Sequence, residues 1–332
     1  MKKKRKEAPQ FLLFLLLAIL AGGVFLLWGQ SNAASTLYEL GFLRYRAENQ
    51  LAAVPEWGLT EEETAALAPL QEEAAAWASS LTPETGSYET ASAAHWFGER
   101  SRLTLSYRRY GREEGKTVIL LHGFEGTEEE LLPWAKRWWD RGWSVVIPEL
   151  RGYQDPGETN IIPTTWGVYE EFDLYDLILA AGLQEETLAV HGKGTGAAAA
   201  LLMASNEELA AAGLDGLVAE TPYDTLGGLE RKLLKDLFKL GDFLVGKMLR
   251  TRIRDQLGFL PDSVDLTAAA ANSTLPVLWV CGEQTTLPGM AEARALANAR
   301  PEGTQLLSVP QRGYRALLLS EEYGSAVAAL FP

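Results

Sequence analysis

Five residues at the end of a short apolar run, Gly192-Lys193-Gly194-Thr195-Gly196, have the spacing of a nucleophile elbow. In that motif G-x-S-x-G sets a strained serine at the head of a helix. The outer glycines, Gly192 and Gly196, are in place, and the serine position holds Gly194. Acyl-transfer chemistry at such a corner needs a serine oxygen, an imidazole to take its proton, and a carboxylate to hold the imidazole in the right tautomer. The chain offers three histidines, His95, His122 and His191, and none follows the corner. Two other chemistries share the glycines. Gly192-x-Gly194-x-x-Ala197 fits the G-x-G-x-x-G/A dinucleotide fingerprint, with Glu220 at a later strand end as the ribose partner. A phosphate-binding P-loop fails, because Lys193 is followed by Gly194 and the glycine required five residues earlier is Thr187.

The elements that must position this corner read clearly. Leu188 to His191 is a short apolar run, and Ala197 to Met203 is an alanine-rich helix able to pack close against a sheet. Further strands are predicted at 117–121, 144–148, 214–219, 277–281 and 305–308, alternating with helical segments, and Leu103 to Tyr107 alternates like a first strand. This βαβ rhythm implies an α/β fold with a mostly parallel sheet and helices on both faces. Residues 222–272 interrupt it with a helical insertion, in which Leu226, Leu229, Leu233, Leu237 and Leu244 recur at helical spacing between Arg231, Lys232, Lys235 and Lys239. Thr127 with Glu130, and Thr60 with Glu63, predict capping boxes for two helices.

On both sides of the corner the sequence resembles the α/β-hydrolase superfamily, in particular membrane-anchored bacterial serine-hydrolase-like members. Val118-Ile119-Leu120-Leu121-His122-Gly123-Phe124-Glu125-Gly126 resembles the family strand that ends in H-G-F-x-G. Val145-Val146-Ile147-Pro148-Glu149-Leu150-Arg151-Gly152-Tyr153 resembles V-x-x-P-D-x-R-G-H, departing at Glu149 and Tyr153, and Thr165 to Leu174 is similar to the helix that follows. Pro276-Val277-Leu278-Trp279-Val280-Cys281-Gly282-Glu283-Gln284-Thr285 resembles the strand and loop that carry the family's acid. The resemblance runs from about Ala91 to the C-terminus. It implies an α/β-hydrolase fold, backbone amides of Phe124 and Thr195 in the oxyanion-hole positions, and a cap at the insertion.

The same resemblance shows what is missing. The acid falls on Thr285 and the histidine on Gly313, give or take one position, so the nucleophile, acid and base roles at Gly194, Thr285 and Gly313 are all unfilled. Four residues are candidate substitutes. Thr195 has a hydroxyl but no base to activate it. Glu283 could stand for the acid, with no histidine to orient. His122 and His191 match positions that support the loop and the elbow. Three isolated histidines and one cysteine supply no metal spacing, and no cofactor is expected. Cys281, the only cysteine, precludes an internal disulfide and is expected to be a small core residue.

The N-terminus adds a location. Lys2, Lys3, Lys4, Arg5 and Lys6 precede a run of 18 uncharged residues from Phe11 to Trp28, about 27 Å of helix at about 1.5 Å per residue. The basic tail predicts a cytoplasmic N-terminus with everything after Gly29 outside. A cleaved signal peptide is the rival, with Ser31-Asn32-Ala33 before Ala34 as its site, but the apolar run exceeds the usual ~7–15 residues. The expected organisation is a basic tail at 1–10, a transmembrane anchor at 11–29, a helical spacer at 30–90, and a hydrolase-like domain at 91–332. Beyond residue 33 the chain holds 25 basic and 43 acidic residues, a net −18, which argues against nucleic acid or an anionic lipid surface as a partner of the bulk field. The sequence therefore predicts a membrane-anchored pseudoenzyme. It would bind a small apolar or acyl-type ligand, or an envelope protein, with an atypical hydrolase or a nucleotide-dependent enzyme as alternatives.

Overall fold

The computed structural model describes residues 28–43, 58–90, 103–112, 115–124, 126–153 and 162–331. Its sheet is built from β1 (Glu84–Thr90), β2 (Leu103–Tyr110), β3 (Lys116–Leu121), β4 (Ser144–Pro148), β5 (Thr187–Lys193), β6 (Gly216–Glu220), β7 (Val277–Gly282) and β8 (Thr304–Val309). The strands lie in the order β1-β2-β4-β3-β5-β6-β7-β8. Pairings involving β1 and β2 are antiparallel, and the pairings from β4 through β8 are parallel. Strands β4, β6 and β7 are buried along their whole length, as expected where helices cover both faces and the apolar run is continuous.

Alternation divides β3 between two cores: Val118 and Leu120 face one side of the sheet, Ile119 and Leu121 the other. The first side is covered by α2 (Glu61–Ser80), α3 (Glu128–Trp139) and α10 (Glu321–Leu330), through Leu67, Trp134, Trp138, Tyr323 and Val327. The second is covered by α1 (28–42), α4 (Glu170–Ala180), α5 (Thr195–Ser205) and the insertion. The insertion forms a cap: α6 (Leu226–Lys232), π-wound turns at Leu233–Leu237 and Asp242–Gly246, α7 (Lys247–Leu257) and α8 (Leu266–Asn272). Because it follows β6, it sits over the C-terminal ends of the parallel strands. One more helix, α9 (Met290–Ala299), follows β7.

Several expectations need correction. The segment read as a helical spacer does not end in helix, since residues 84–90 form β1 and pair along their length with β2; Tyr88 and Thr90 are buried there. The capping box at Thr60 and Glu63 forms, but Thr127 makes no side-chain cap to α3. Glu130 turns away to Lys193, 3.7 Å off, and Arg315, 3.8 Å off, where two cations compete with one backbone amide. The predicted anchor and basic tail lie, except for residues 28 and 29, outside the described residues, as does His95. Among the described residues no helix is long and apolar enough to cross a membrane.

Candidate functional site

The corner between β5 and α5 is held by close packing of glycines. A Cβ on Gly192 would meet the Ala197 amide nitrogen at 2.5 Å, and one on Gly196 would meet the Leu121 side chain at 2.5 Å. Gly194 itself sits at φ 51°, ψ −108°, backbone that side-chain-bearing residues adopt only under strain. Its amide donates to the Glu220 carbonyl at 2.8 Å. The elbow geometry thus persists although the serine does not. Packing at Gly192 and Gly196 fixes the corner from both sides.

Tyr314 fills the space in front of the elbow. Its hydroxyl lies 3.0 Å from where a Cβ on Gly194 would stand and even closer to that of Gly123. The Lys193 ammonium rests 4.6 Å from the centre of the same ring. Gly313, the residue matched to the base, has nothing within 4 Å of an added Cβ, so the position facing the elbow belongs to Tyr314, one residue on. Burial, reinforced by Glu130 and Glu220, pushes the Tyr314 hydroxyl well above its ordinary pKa; it is a neutral phenol and no base.

A small cavity of about 30 Å³ brings together Phe124, Trp166, Gly194, Thr195, Thr221, Tyr223, Leu229, Leu287, Pro288 and Tyr314. Phe124 from the oxyanion-position loop therefore faces the same space as Thr195. The hydroxyls of Thr195 and Thr221 are buried there, 3% and 1% exposed, without a hydrogen-bond partner among the described residues. Sequence reasoning missed Thr221. It has φ 49°, an outlier for a β-branched residue and a mark of a functional or strained site. Trp166 is strained too, at φ 59°, and is fixed by its indole donating to the Gly41 carbonyl at 2.8 Å and its own carbonyl accepting from Tyr223 at 2.5 Å. Next to this cavity lies another of about 60 Å³, lined by Leu37, Leu40, Gly41 and Phe42 of α1 and by Leu226, Leu233, Leu234, Leu237, Leu249 and Ile253 of the cap. The two share Phe124, Trp166 and Leu229.

The candidate substitutes are scattered. Glu283 is exposed and accepts from the Ser308 hydroxyl at 3.0 Å. Thr285 is buried with its hydroxyl unpartnered. His122 places Nδ1 3.0 Å from the Gly123 carbonyl and packs its ring against Tyr153. His191 points to the side of the sheet covered by α3 and α10. There its Nδ1 accepts from the Trp138 indole at 3.1 Å, and its Nε2 lies 3.0 Å from Glu220 and 2.8 Å from the Tyr323 hydroxyl. An indole N–H can only donate, so Nδ1 is the accepting nitrogen of His191 and Nε2 faces Glu220 and Tyr323. Burial would raise the Glu220 carboxyl, but hydrogen bonds from His191 and Tyr323, with the Lys193 charge nearby, hold it below its ordinary value. Glu220 is thus committed to a buried network and is no ribose ligand. The Cys281 thiol is buried and pushed up to about 12, which removes it as a nucleophile. Among the described residues no group of histidine, cysteine and carboxylate side chains could hold a metal.

No protein-family model matches the sequence, and no curated protein does. Solved structures do match. An esterase of Pyrococcus furiosus is 19% identical, with a TM-score of 0.57 over 76% of this chain and 92% of that one. A protein of Mycobacterium tuberculosis is 18% identical, with a TM-score of 0.54 over 74% and 98%. A membrane phospholipase A described as a bacterial virulence factor is 15% identical, with a TM-score of 0.53 over 97% of each chain. At these identities the likeness is one of architecture: the chain has the α/β-hydrolase fold.

Proposed function

We propose that this protein is a membrane-anchored, extracytoplasmic pseudo-hydrolase that holds an acyl-type ligand without cleaving it. One observation carries the reading. Two buried hydroxyls without a hydrogen-bond partner among the described residues, Thr195 and Thr221, line the cavity at the elbow, so no described imidazole or carboxylate is hydrogen-bonded to the Thr195 oxygen. A buried hydroxyl left unbonded costs about 1–3 kcal/mol, which a ligand oxygen would recover. Thr195 also opens α5, where unpaired amides favour an anionic or carbonyl oxygen.

The adjoining cavity supplies the apolar half, since its wall is mostly leucine and phenylalanine, with Ile253, Trp166 and Pro261 beside Gly41 and the carboxyl-bearing Glu230. About 30 Å³ exceeds the ~10–15 Å³ that one water-sized group needs, which suits a carboxyl or ester head, with a short chain running past Trp166 and Leu229. The likeness in fold to an esterase and to a membrane phospholipase A supports an acyl class.

Thermal unfolding of the full chain with decanoate tests the proposal. The expected result is a melting temperature that rises with ligand concentration, an undiminished ligand, and loss of the shift in Thr195→Val and Thr221→Val. Saturable turnover of short acyl esters above a heat-inactivated control, abolished by Thr195→Ala, would instead make this an atypical hydrolase.

A further inference from the structure

Within the cap, the segment 226–260 carries charge opposite to the rest of the body. Residues 226–260 hold eight basic and four acidic side chains, a net +4, whereas the remainder beyond residue 33 carries 17 basic and 39 acidic ones, a net −22. Four of the segment's cations are paired with carboxylates: Arg231 with Asp262, Lys232 with Glu292 of α9, Arg250 with Glu230 and Asp242, and Arg254 with Asp255. Lys235, Lys239 and Lys247 are exposed and have no carboxylate partner among the described residues. Between them, at the start of the second π-wound turn, Phe243 is 86% exposed and Leu244 40%. Their neighbours Leu234 and Val245 are buried on the opposite side of the same turns. An aromatic and a leucine projecting from a lysine rim form the pattern of a segment that lies on a lipid surface.

The chain's own geometry says which surface is within reach. Helix α1 packs against the cap, with Arg252 stacked 5.6 Å from the centre of the Tyr38 ring and Leu37 and Leu40 lining the shared cavity. Trp28, where the apolar N-terminal run ends, is nine residues before Leu37 on that helix, about 14 Å at ~1.5 Å per residue. A body tethered there cannot hold its cap far from the bilayer.

We infer that the Phe243-Leu244 tip of the cap, with Lys235, Lys239 and Lys247, docks onto the anionic lipid surface of the membrane in which the chain is anchored. The inference rests on the anchored reading of the N-terminus, and it gives the protein a second, electrostatic membrane contact that its acidic bulk field would not provide. Docking would set the cap, and with it the cavity shared with α1, against the bilayer, so that an amphiphile could pass between lipid and protein without crossing water. The lysines supply the attraction to acidic headgroups, and the two apolar side chains supply the insertion.

The test uses the full chain reconstituted into vesicles of phosphatidylcholine alone or with phosphatidylglycerol as one lipid in three. Because Cys281 is buried, Phe243→Cys can be labelled selectively with an environment-sensitive fluorophore, and Glu302→Cys, at the turn before β8 and the opposite end of the strands, serves as control. Flotation reports the anchor separately. The expected result is a blue shift and quenching by spin-labelled lipid at residue 243, none at residue 302, and dependence on phosphatidylglycerol. Adding Lys235→Gln, Lys239→Gln and Lys247→Gln should lower the docked-to-free ratio by roughly two orders of magnitude while flotation stays unchanged. A label at residue 243 that remains in water with both lipids while the protein floats overturns the inference. So does a blue shift that rises with protein concentration and is not quenched by lipid, since a second copy would then cover the tip. Loss of flotation in the unsubstituted chain would instead sink the anchored reading itself.

Discussion

The Tyr314 hydroxyl stands 3.0 Å from the point where Gly194 would carry a Cβ, so a phenol occupies the space in which a nucleophile and its base would meet. Gly194→Ser should therefore fail twice. The new side chain adopts φ 51°, at a strain of about 1–3 kcal/mol, and presses on Tyr314. Denaturant unfolding should show that loss, and a fluorophosphonate probe should not label the variant. Labelling should require Thr285→Asp and Tyr314→His in addition. Activity from Gly194→Ser alone would reveal a base not identified among the described residues.

Gly123 and Tyr314 should be energetically coupled. A Cβ on Gly123 would overlap the Tyr314 hydroxyl, so Gly123→Ala should cost about 2 kcal/mol by overpacking. In a Tyr314→Ala background most of that cost should vanish. A double-mutant cycle on unfolding free energies reads the coupling, and additive effects would show that Tyr314 does not rest against Gly123.

His191 should matter for stability and not for ligand binding. Replacing it with leucine strands the Trp138 indole and leaves Glu220 with Tyr323 as its remaining side-chain donor, and breaking a buried charged network of this kind costs about 3–5 kcal/mol. Chemical denaturation should report a loss of that size. The decanoate-induced shift, measured at a temperature where the variant stays folded, should be retained.

Glu171 gives the protein a stability that declines with pH. Burial, with the neighbouring Glu170 charge, pushes its carboxyl up to about 8, against 4.5 for the free group. Between those values the folded chain keeps a proton that the unfolded chain releases, so stability is greatest below the unfolded pKa and falls as pH rises toward 8. Glu171→Gln should flatten this slope in urea midpoints taken from about pH 5 to about pH 8. An unchanged slope would mean the carboxyl is ionised in the folded state.

Local patterning determined much of this molecule. Continuous apolar runs at 117–121, 144–148 and 277–281 became buried parallel strands, and the glycine spacing of 192, 194 and 196 became a tight strand-to-helix corner, because side-chain periodicity and glycine backbone freedom are properties of short segments. The absence of a serine at 194 and of any histidine beyond it was also legible, since composition needs no coordinates. Which residue faces the elbow was not. A one-residue offset in the loop after β8 separates Gly313 from Tyr314, and only packing against Gly123 and Gly194 selects between them. Thr221 was invisible for the same reason: a threonine after a strand has no signature until its φ of 49° and its buried, unpartnered hydroxyl are known. Glu220 fitted a ribose partner on spacing alone, and only the sheet turned it, with the supporting His191, toward Trp138 and Tyr323. Residues 84–90 became a strand because β2 offered an open edge, a partner that lies beyond the reach of any local pattern. Tertiary structure decided these points because each depends on groups distant in sequence that share one desolvated space, where an unpaired polar atom or an extra methyl costs more than local preference can repay.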